Sequence, residues 1–182
     1  FVLRERFRST AVRAEGRAAT EGGYAGGLGD VTRLMIGKDG RTSINLRAEG
    51  NSKLKESERD IALEPLPGNP ELDPREARTL IGESRLFRGT LTHNRTILGN
   101  VSATLNGELS HSEGQSLLGF PTFADGSPIP IGTDPRARDS KTDSAHGGFS
   151  LNGDKGSWHL SATGNADISR SVTETDPDAP IA

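Results

Sequence analysis

The sequence predicts an all-β fold, an antiparallel up-and-down meander of about seven strands. Three observations predict it: apolar and polar residues alternate, the alternating runs are long, and short turns and long links follow one another in regular succession. Successive side chains of a strand point to opposite faces. A period of two sustained over ten or more residues therefore predicts strands with one apolar and one polar face.

The composition limits how this fold buries its apolar residues. Of the 182 residues, 31% are hydrophobic and 4% aromatic, and 23 are glycine, which packs no core. An average globular chain is about 45–50% apolar with glycine included. Two interpretations remain at this point: a partly disordered polar chain, or a β-rich protein with apolar residues on one face of each strand. The alternation favours the second.

Charge and residue content exclude several function classes. There are 22 basic and 25 acidic residues, a net charge of −3, and this balance gives no basic stripe of the kind that binds nucleic acid. The absence of cysteine excludes disulfides, thiol chemistry and cysteine-ligated zinc. No run of about 18 apolar residues predicts a membrane-spanning helix. Strands of a membrane barrel carry a much weaker signal, about ten alternating residues each.

The alternation is clearest in four segments. Their apolar or small positions are Val12, Ala14, Gly16 and Ala18; Ile44, Leu46 and Ala48; Val101, Ala103, Leu105, Gly107 and Leu109; and Trp158, Leu160, Ala162, Gly164, Ala166 and Ile168. Soluble strands usually have about five or six residues, whereas tilted strands that cross a bilayer need about 9–11. The intervening Arg, Glu, Asp and Asn residues suit the polar interior of a barrel.

Seven strands are expected in all. They are placed at 9–20, 28–37, 41–53, 87–94, 99–113, 144–152 and 157–173. The second is the least regular, because Leu34, Met35 and Ile36 interrupt the alternation.

Short turns and long links alternate between these strands. The turns are predicted at 38–41, where Asp39-Gly40 is a strong hairpin signal, at 152–156 and at 93–100. The long links are 54–86 and 114–142, which contain four prolines each. Short turns on one side and long loops on the other are typical of outer-membrane barrels. In the first link, Asp73 and Pro74 predict one helical turn on the surface of the loop.

Three segments resemble one known family. The opening Phe1-Val2-Leu3-Arg4-Glu5-Arg6-Phe7 resembles the last plug-domain strand of TonB-dependent outer-membrane receptors, which leads into their first barrel strand. The stretch from Thr92 to Asn106 resembles an early periplasmic turn and strand of that family, as does Gly153 to Asp167 with Trp158 leading its strand.

The resemblance implies a fold, a location and partners. It implies a bacterial outer-membrane barrel of about 22 strands closed by an N-terminal plug, with a scarce nutrient such as an iron–siderophore complex as ligand, TonB as the energy-coupling partner and lipid around the barrel. Residues 1–8 then correspond to the end of the plug and residues 9–182 to the N-terminal portion of the barrel. Measured against such a receptor, we expect this sequence to lack the signal peptide, the TonB-contacting segment and most of the plug and barrel. We therefore expect no transport by the chain alone, and no ligand-binding residue carries over.

No catalytic, cofactor-binding or metal-binding residue is predicted. The four histidines, His93, His111, His146 and His159, lie in separate segments without ligand spacing. The run from Gly22 to Gly29 lacks the signature of a phosphate loop, so a hairpin loop is expected. Asp125, Asp134, Asp176 and Asp178 lack calcium-loop spacing, and Ser116 lacks the second glycine of a nucleophile elbow.

Two further functions remain open besides a receptor fragment. One is a secreted, soluble β-rich protein that binds or adheres through its long loops, although a solenoid of this kind would show a repeat of fixed period and none is present. The other is a soluble hydrolase, for which the sequence offers only unorganised Ser, His and Asp residues. We therefore expect a protein that is not an enzyme.

Overall fold

The computed structural model describes residues 6–66, 70–98, 100–121 and 133–177. Nine strands and two short 3-10 helices make up this part of the chain. The strands are β1 (Phe7–Ala18), β2 (Ala25–Ile36), β3 (Gly40–Asn51), β4 (Leu54–Lys55), β5 (Thr79–Ile81), β6 (Glu83–Leu98), β7 (Val101–Gly119), β8 (Arg136–Lys155) and β9 (Trp158–Thr175), and the 3-10 helices are Glu56–Glu58 and Pro74–Ala77.

Seven strands form one antiparallel sheet in the order β1-β2-β3-β6-β7-β8-β9. Each strand pairs with the next long strand along the chain, so the predicted all-β, seven-stranded meander is confirmed. β1 and β9 lie at the two edges of the sheet. The small strands β4 and β5 pair with each other outside it.

The later strands are longer than the sequence predicted. β7 has 19 residues, β8 has 20 and β9 has 18. The prediction of 144–152 for β8 was too short because Asp139, Lys141 and Asp143 continue the alternation with charged side chains in place of apolar ones. The link predicted at 114–142 shrinks accordingly to residues 120–135, of which 122–132 lie outside the described residues.

The short turns lie close to the predicted positions. Residues 37–39 join β2 to β3, and the Gly37 N–H donates to the Gly40 carbonyl at 2.7 Å. Gly40 itself begins β3, where a Cβ would meet the Asn94 carbonyl oxygen at 2.6 Å. The β8–β9 turn is at Gly156, whose φ of 64° favours glycine. Most of the turn predicted at 93–100 belongs to a strand instead, because β6 continues to Leu98 and β7 begins at Val101.

The loop predicted around Gly22 to Gly29 is also shorter than expected. Residues 19–24 connect β1 to β2, and Gly22 and Gly23 both have φ of 79°. Gly26, Gly27 and Gly29 belong to β2, where they form part of the ladder with β1.

The link between β3 and β6 is folded rather than open. Pro74–Ala77 forms the predicted helical turn, and the Asp73 side chain accepts from the Arg75 N–H at 2.9 Å. The prediction that this turn is a mere surface feature was wrong, because Pro74 and Ala77 are buried together with Leu54. β4 and β5 extend the β3–β6 hairpin, and the Pro74–Ala77 turn contacts β4, β7 and the Glu56–Glu58 helix.

The same link contacts the sheet at two places. Thr79 Oγ1 accepts from the Leu117 N–H at 3.1 Å, and Arg78 forms a bridge with Leu118 at the end of β7. On the other side, the Arg59 guanidinium donates to the Gly22 carbonyl at 3.2 Å in the β1–β2 loop. The long-loop end of the sheet therefore carries a compact, internally bonded loop.

Candidate functional site: an exposed apolar band

The register of the sheet places one apolar residue of each strand in a single row. The cross-strand partners in this row are Val12, Val31, Leu46, Gly89, Leu109, Ala145 and Ile168. Residues an even number of positions from these share their face, up to the register shifts after Thr96 on β6 and after Leu117 on β7. We call this the apolar face, and the opposite one the polar face.

The apolar face is open to the surroundings. Val12 is 73% exposed, Leu109 67%, Ile168 74% and Trp158 75%. On β3 the usual arrangement of a soluble protein is reversed, because Leu46 is exposed while Arg47 and its polar-face neighbours are half-buried. Leu54, Pro74, Ala77 and Gly119 are the only buried residues among those whose burial is described, and none lies in the centre of the sheet. A large apolar surface left this open marks an interaction surface.

Charged side chains are absent from the middle of the apolar face. The charge-free stretch spans 10–18 on β1, 25–31 on β2, 40–50 on β3, 87–91 on β6, 101–109 on β7, 145–153 on β8 and 158–168 on β9. It spans nine to eleven residues on five of the seven strands, seven on β2 and five on β6. A tilted strand needs about 9–11 residues to cross a bilayer. We call these stretches together the apolar band.

The apolar band crosses the sheet obliquely. On β1 its midpoint is Ala14, and the row that begins at Ala14 reaches β9 at Arg170. The midpoint on β9 is Thr163, seven residues before Arg170. With about 3.3 Å per residue and about 4.8 Å between strands, this displacement over six strand steps corresponds to an angle of about 40°. The band is therefore inclined to the hydrogen-bonding rows.

An open trough of 1020 Å³ lies on the apolar face and is lined from Val12 on β1 to Ile168 on β9. Leu46, Phe87 and Leu109 contribute to its lining. Most of its exposed lining surface is apolar, although charged residues such as Arg13, Arg88 and Arg170 also contribute to the lining.

The polar face is a network of hydrogen bonds and ion pairs. Asn45 donates to Asp30 at 2.6 Å and to Thr32 at 2.8 Å. Three guanidinium–carboxylate pairs follow one another across the sheet: Arg13–Glu15, Arg47–Glu49 and Arg88–Glu108. On β7, β8 and β9 the His146 imidazole contacts Asn106 at 3.2 Å and Asp167 at 2.6 Å. Such a surface is suited to water and to polar solutes.

Charged residues border the apolar band at the long-loop end. The first apolar-face residue beyond the band is Arg85 on β6, His111 on β7, Asp143 on β8 and Arg170 on β9. We call these four residues the charged rim. The next positions carry Glu83, Glu113 and Lys141, and an open cavity of 570 Å³ is lined by Arg85, Asp143, Arg170 and these three.

The ionisation of the charged rim is coupled through His111. His111 Nδ1 lies 2.6 Å from Asp143 and its Nε2 lies 3.3 Å from Glu113. The hydrogen bond to Asp143, followed by that to Glu113, raises the pKa of His111 above 6.5. The same contact lowers the pKa of Asp143, and Lys141 first and His111 second lower the pKa of Glu113.

We expect a titration at the charged rim that depends on Asp143. Because the pKa of His111 is raised, the ion pair contributes below pH 6.5 and is lost as the pH rises through the folded-state pKa. The lowered pKa of Asp143 keeps that carboxylate charged down to below pH 3.8. NMR titration of the His111 ring protons is expected to give a midpoint above 6.5 that moves back toward 6.5 in Asp143→Asn. An identical midpoint in both proteins contradicts this contact.

In the structure each of the four histidines has its own polar partner. His93 bonds Thr42 at 2.8 Å, His111 and His146 bond Asp143 and Asp167, and His159 bonds Asp154 at 2.7 Å. In the described part of the chain, no group of three or more acidic or histidine side chains is placed to hold a metal ion. Asp125 and Asp178 lie outside the described residues.

The remaining candidates fall within the sheet or at its edges. Ser116 lies in β7, and Asp134 precedes β8. Asp176 follows β9, where its carboxylate accepts from the Ala137 N–H at 2.7 Å. The charged rim was not identified from the sequence. The signal was nevertheless present, because charged residues keep the period of two beyond the apolar positions of β7 and β8.

Comparison with known proteins yields no relative. No protein-family model, no curated protein and no solved structure matches the chain. Within residues 6–66, 70–98, 100–121 and 133–177 there is no helix long and apolar enough to cross a membrane.

Proposed function

We propose that this chain is a membrane-spanning section of an outer-membrane β-barrel, and that the barrel belongs to a TonB-dependent receptor. The oblique apolar band is the observation that carries the first part of this proposal. Hydrocarbon is the occupant that suits a continuous apolar surface shared by seven strands, nine to eleven residues high on most of them.

The inclination of the band agrees with barrel geometry. Strands of outer-membrane barrels are tilted by about 35–45° from the membrane normal. A membrane slab is perpendicular to that normal, so it must cross a tilted sheet obliquely, displaced by about one residue or slightly more per strand. The band of this sheet has that displacement, at an angle of about 40°. A soluble sheet with one face packed on a core has no reason to incline its apolar residues in this way.

The polar face supports the same assignment. In a barrel the face opposite the lipid lines the lumen and is polar. Ion pairs such as Arg88–Glu108 and the His146–Asp167 contact lie on that face. Charged groups of this kind would be costly in hydrocarbon. In a wet lumen they are solvated.

The receptor part of the proposal rests on the resemblance. The two resembling stretches, 92–106 and 153–167, surround the β6–β7 and β8–β9 turns. By the alternation of an up-and-down meander these turns lie on the same side of the sheet as the β2–β3 turn. The connections on the opposite side are 19–24, 52–82 and 120–135. This arrangement is consistent with short periplasmic turns and longer external loops, and with uptake of a scarce nutrient such as an iron–siderophore complex by the complete barrel.

Single-cysteine labelling across β7 tests the membrane assignment. The chain has no cysteine, so each position from 102 to 109 can be replaced in turn and spin-labelled after refolding into phospholipid vesicles. We expect labels at Ala103 and other odd positions to collide with oxygen dissolved in the bilayer. Labels at Thr104 and other even positions are expected to collide with a water-soluble nickel complex.

The outcome separates the two main candidate functions. An alternating pattern supports a barrel wall. A chain that stays monomeric in buffer without lipid, with labels at odd positions accessible to nickel, favours a soluble binding protein that uses the 1020 Å³ apolar trough. The receptor assignment has its own test: if the coding sequence on either side of this segment encodes no plug and no further alternating strands, that part fails.

A further inference from the structure

We propose that the charged rim binds the phosphate groups of lipid headgroups next to the barrel wall. This inference rests on the proposed membrane location of the sheet. It concerns Arg85, His111, Asp143 and Arg170, which lie on the same face as the apolar band.

The depth of the rim is that of a phosphate layer. Each rim residue lies two positions beyond the band on its own strand, about 5 Å higher along the membrane normal for a strand tilted by about 40°. The headgroup region extends roughly 5–8 Å beyond the hydrocarbon on each side. A lipid whose chains pack against Leu109, Ala145 and Ile168 therefore has its phosphate beside the rim.

Basic side chains predominate in the charged rim, next to the band, and acidic ones predominate further from it. The first row holds two arginines and a single acid, together with His111, whose protonated form is favoured by Asp143. The acidic residues Glu83, Glu113, Asp139 and Glu174 predominate further out. A cationic row directly outside the hydrocarbon attracts phosphate, and the arginine guanidinium binds it with two parallel hydrogen bonds.

The two arginines of the rim are open to the surroundings beside the apolar band. Arg85 and Arg170 lie at the open 570 Å³ cavity, whose other charged lining residues are Asp143, Lys141 and the outer acids Glu83, Glu113, Asp139 and Glu174. The Arg85 side chain is 64% exposed, and its only ion pair among those described is with Glu83 at 2.9 Å. The rim is continuous with the apolar band, so its nearest neighbour is the lipid that covers the band and not a separate protein.

Brominated lipids test this inference. A fluorophore on Ala145→Cys reports on the lipid directly beneath the rim, and Trp158, the single tryptophan, reports on the opposite border of the band. The full chain is placed in phosphatidylcholine vesicles that contain either brominated phosphatidylcholine or brominated phosphatidic acid. We expect the label at position 145 to be quenched more strongly by phosphatidic acid than by phosphatidylcholine, and Trp158 to be quenched about equally by the two.

Removal of the arginines is the direct test. Each surface arginine contributes about a fivefold preference for anionic lipid, so Arg85→Gln with Arg170→Gln is expected to lower the preference at position 145 about 25-fold at most. Arg41→Gln with Arg138→Gln removes the same charge from the polar face and is expected to leave it unchanged. If the double rim variant does not insert, the chain that carries only the position-145 label still tests the proposal. Its stronger quenching by phosphatidic acid is expected to persist when inorganic phosphate is added at constant ionic strength.

Each result has one meaning. Equal quenching of the position-145 label by the two brominated lipids overturns the phosphate site while the membrane assignment stands. No quenching of either reporter by any brominated lipid overturns the membrane assignment itself. Loss of the preference on addition of inorganic phosphate assigns the rim to free phosphate and overturns the lipid as its ligand.

Discussion

Replacement of Leu105 by arginine is expected to reduce insertion of the chain into vesicles by about 30- to 1000-fold. Leu105 is at the middle of the apolar band on β7 and is 53% exposed. An arginine on the lipid face of a barrel strand at the bilayer midplane costs about 2–4 kcal/mol. In a soluble protein the same substitution at an exposed position changes the free energy of unfolding by only about 0.5 kcal/mol in either direction. A large loss of insertion would therefore come from the cost of arginine in hydrocarbon, and not from destabilisation of the sheet.

Asn106→Arg provides the matched control one residue away. Asn106 is exposed on the polar face, where it contacts His146 at 3.2 Å, and an added guanidinium there remains in water. Partition between buffer and vesicles, measured by flotation at several urea concentrations, is expected to change little for Asn106→Arg. Equal and small effects of the two arginines are incompatible with a lipid-facing band.

The strands and their order could be predicted from the sequence because local patterns determine them. The alternation from Val101 to Leu109 and from Trp158 to Ile168 is strict, and it marked most of β7 and nearly all of β9. The prediction ended β7 and β8 too early at the long-loop end of the sheet. Residues beyond the band there, such as Lys141 and Glu113, alternate with polar neighbours of similar hydropathy. A period of two is then no longer visible as a contrast between apolar and polar residues.

The folded link between β3 and β6 and the oblique band could not be predicted for a different reason. Burial of Leu54 and Ala77 depends on β4 pairing with β5, residues that are separated by more than twenty positions. The inclination of the band depends on the register of all six strand pairs, and a shift of two residues in any of them would change it without altering the pattern of any single strand. Only the assembled sheet shows which residues share a depth.

The inclination of the band is itself testable, because residues of one hydrogen-bonded row are expected at different depths. Gly16 on β1 and Val172 on β9 belong to the same row, and so do Met35 on β2 and Phe149 on β8. The tilt places Gly16 and Phe149 within the band and Val172 and Met35 beyond opposite borders. Spin labels on cysteines at the first two positions are expected to be accessible to oxygen, and labels at the other two to the nickel complex.

The same four labels distinguish a tilted sheet from one whose strands stand parallel to the membrane normal. A cysteine at Gly16 meets no atom within 4 Å of its Cβ, so the substitution itself is tolerated. If the strands stood parallel to the membrane normal, both members of each row would have the same depth and the same accessibility. Equal accessibility within each pair, together with retained insertion, would thus remove the tilt of about 40° and with it the main support for a barrel wall. Opposite accessibility in both pairs, reversed in sense between them, is an outcome that only a tilted sheet crossing a hydrocarbon slab produces.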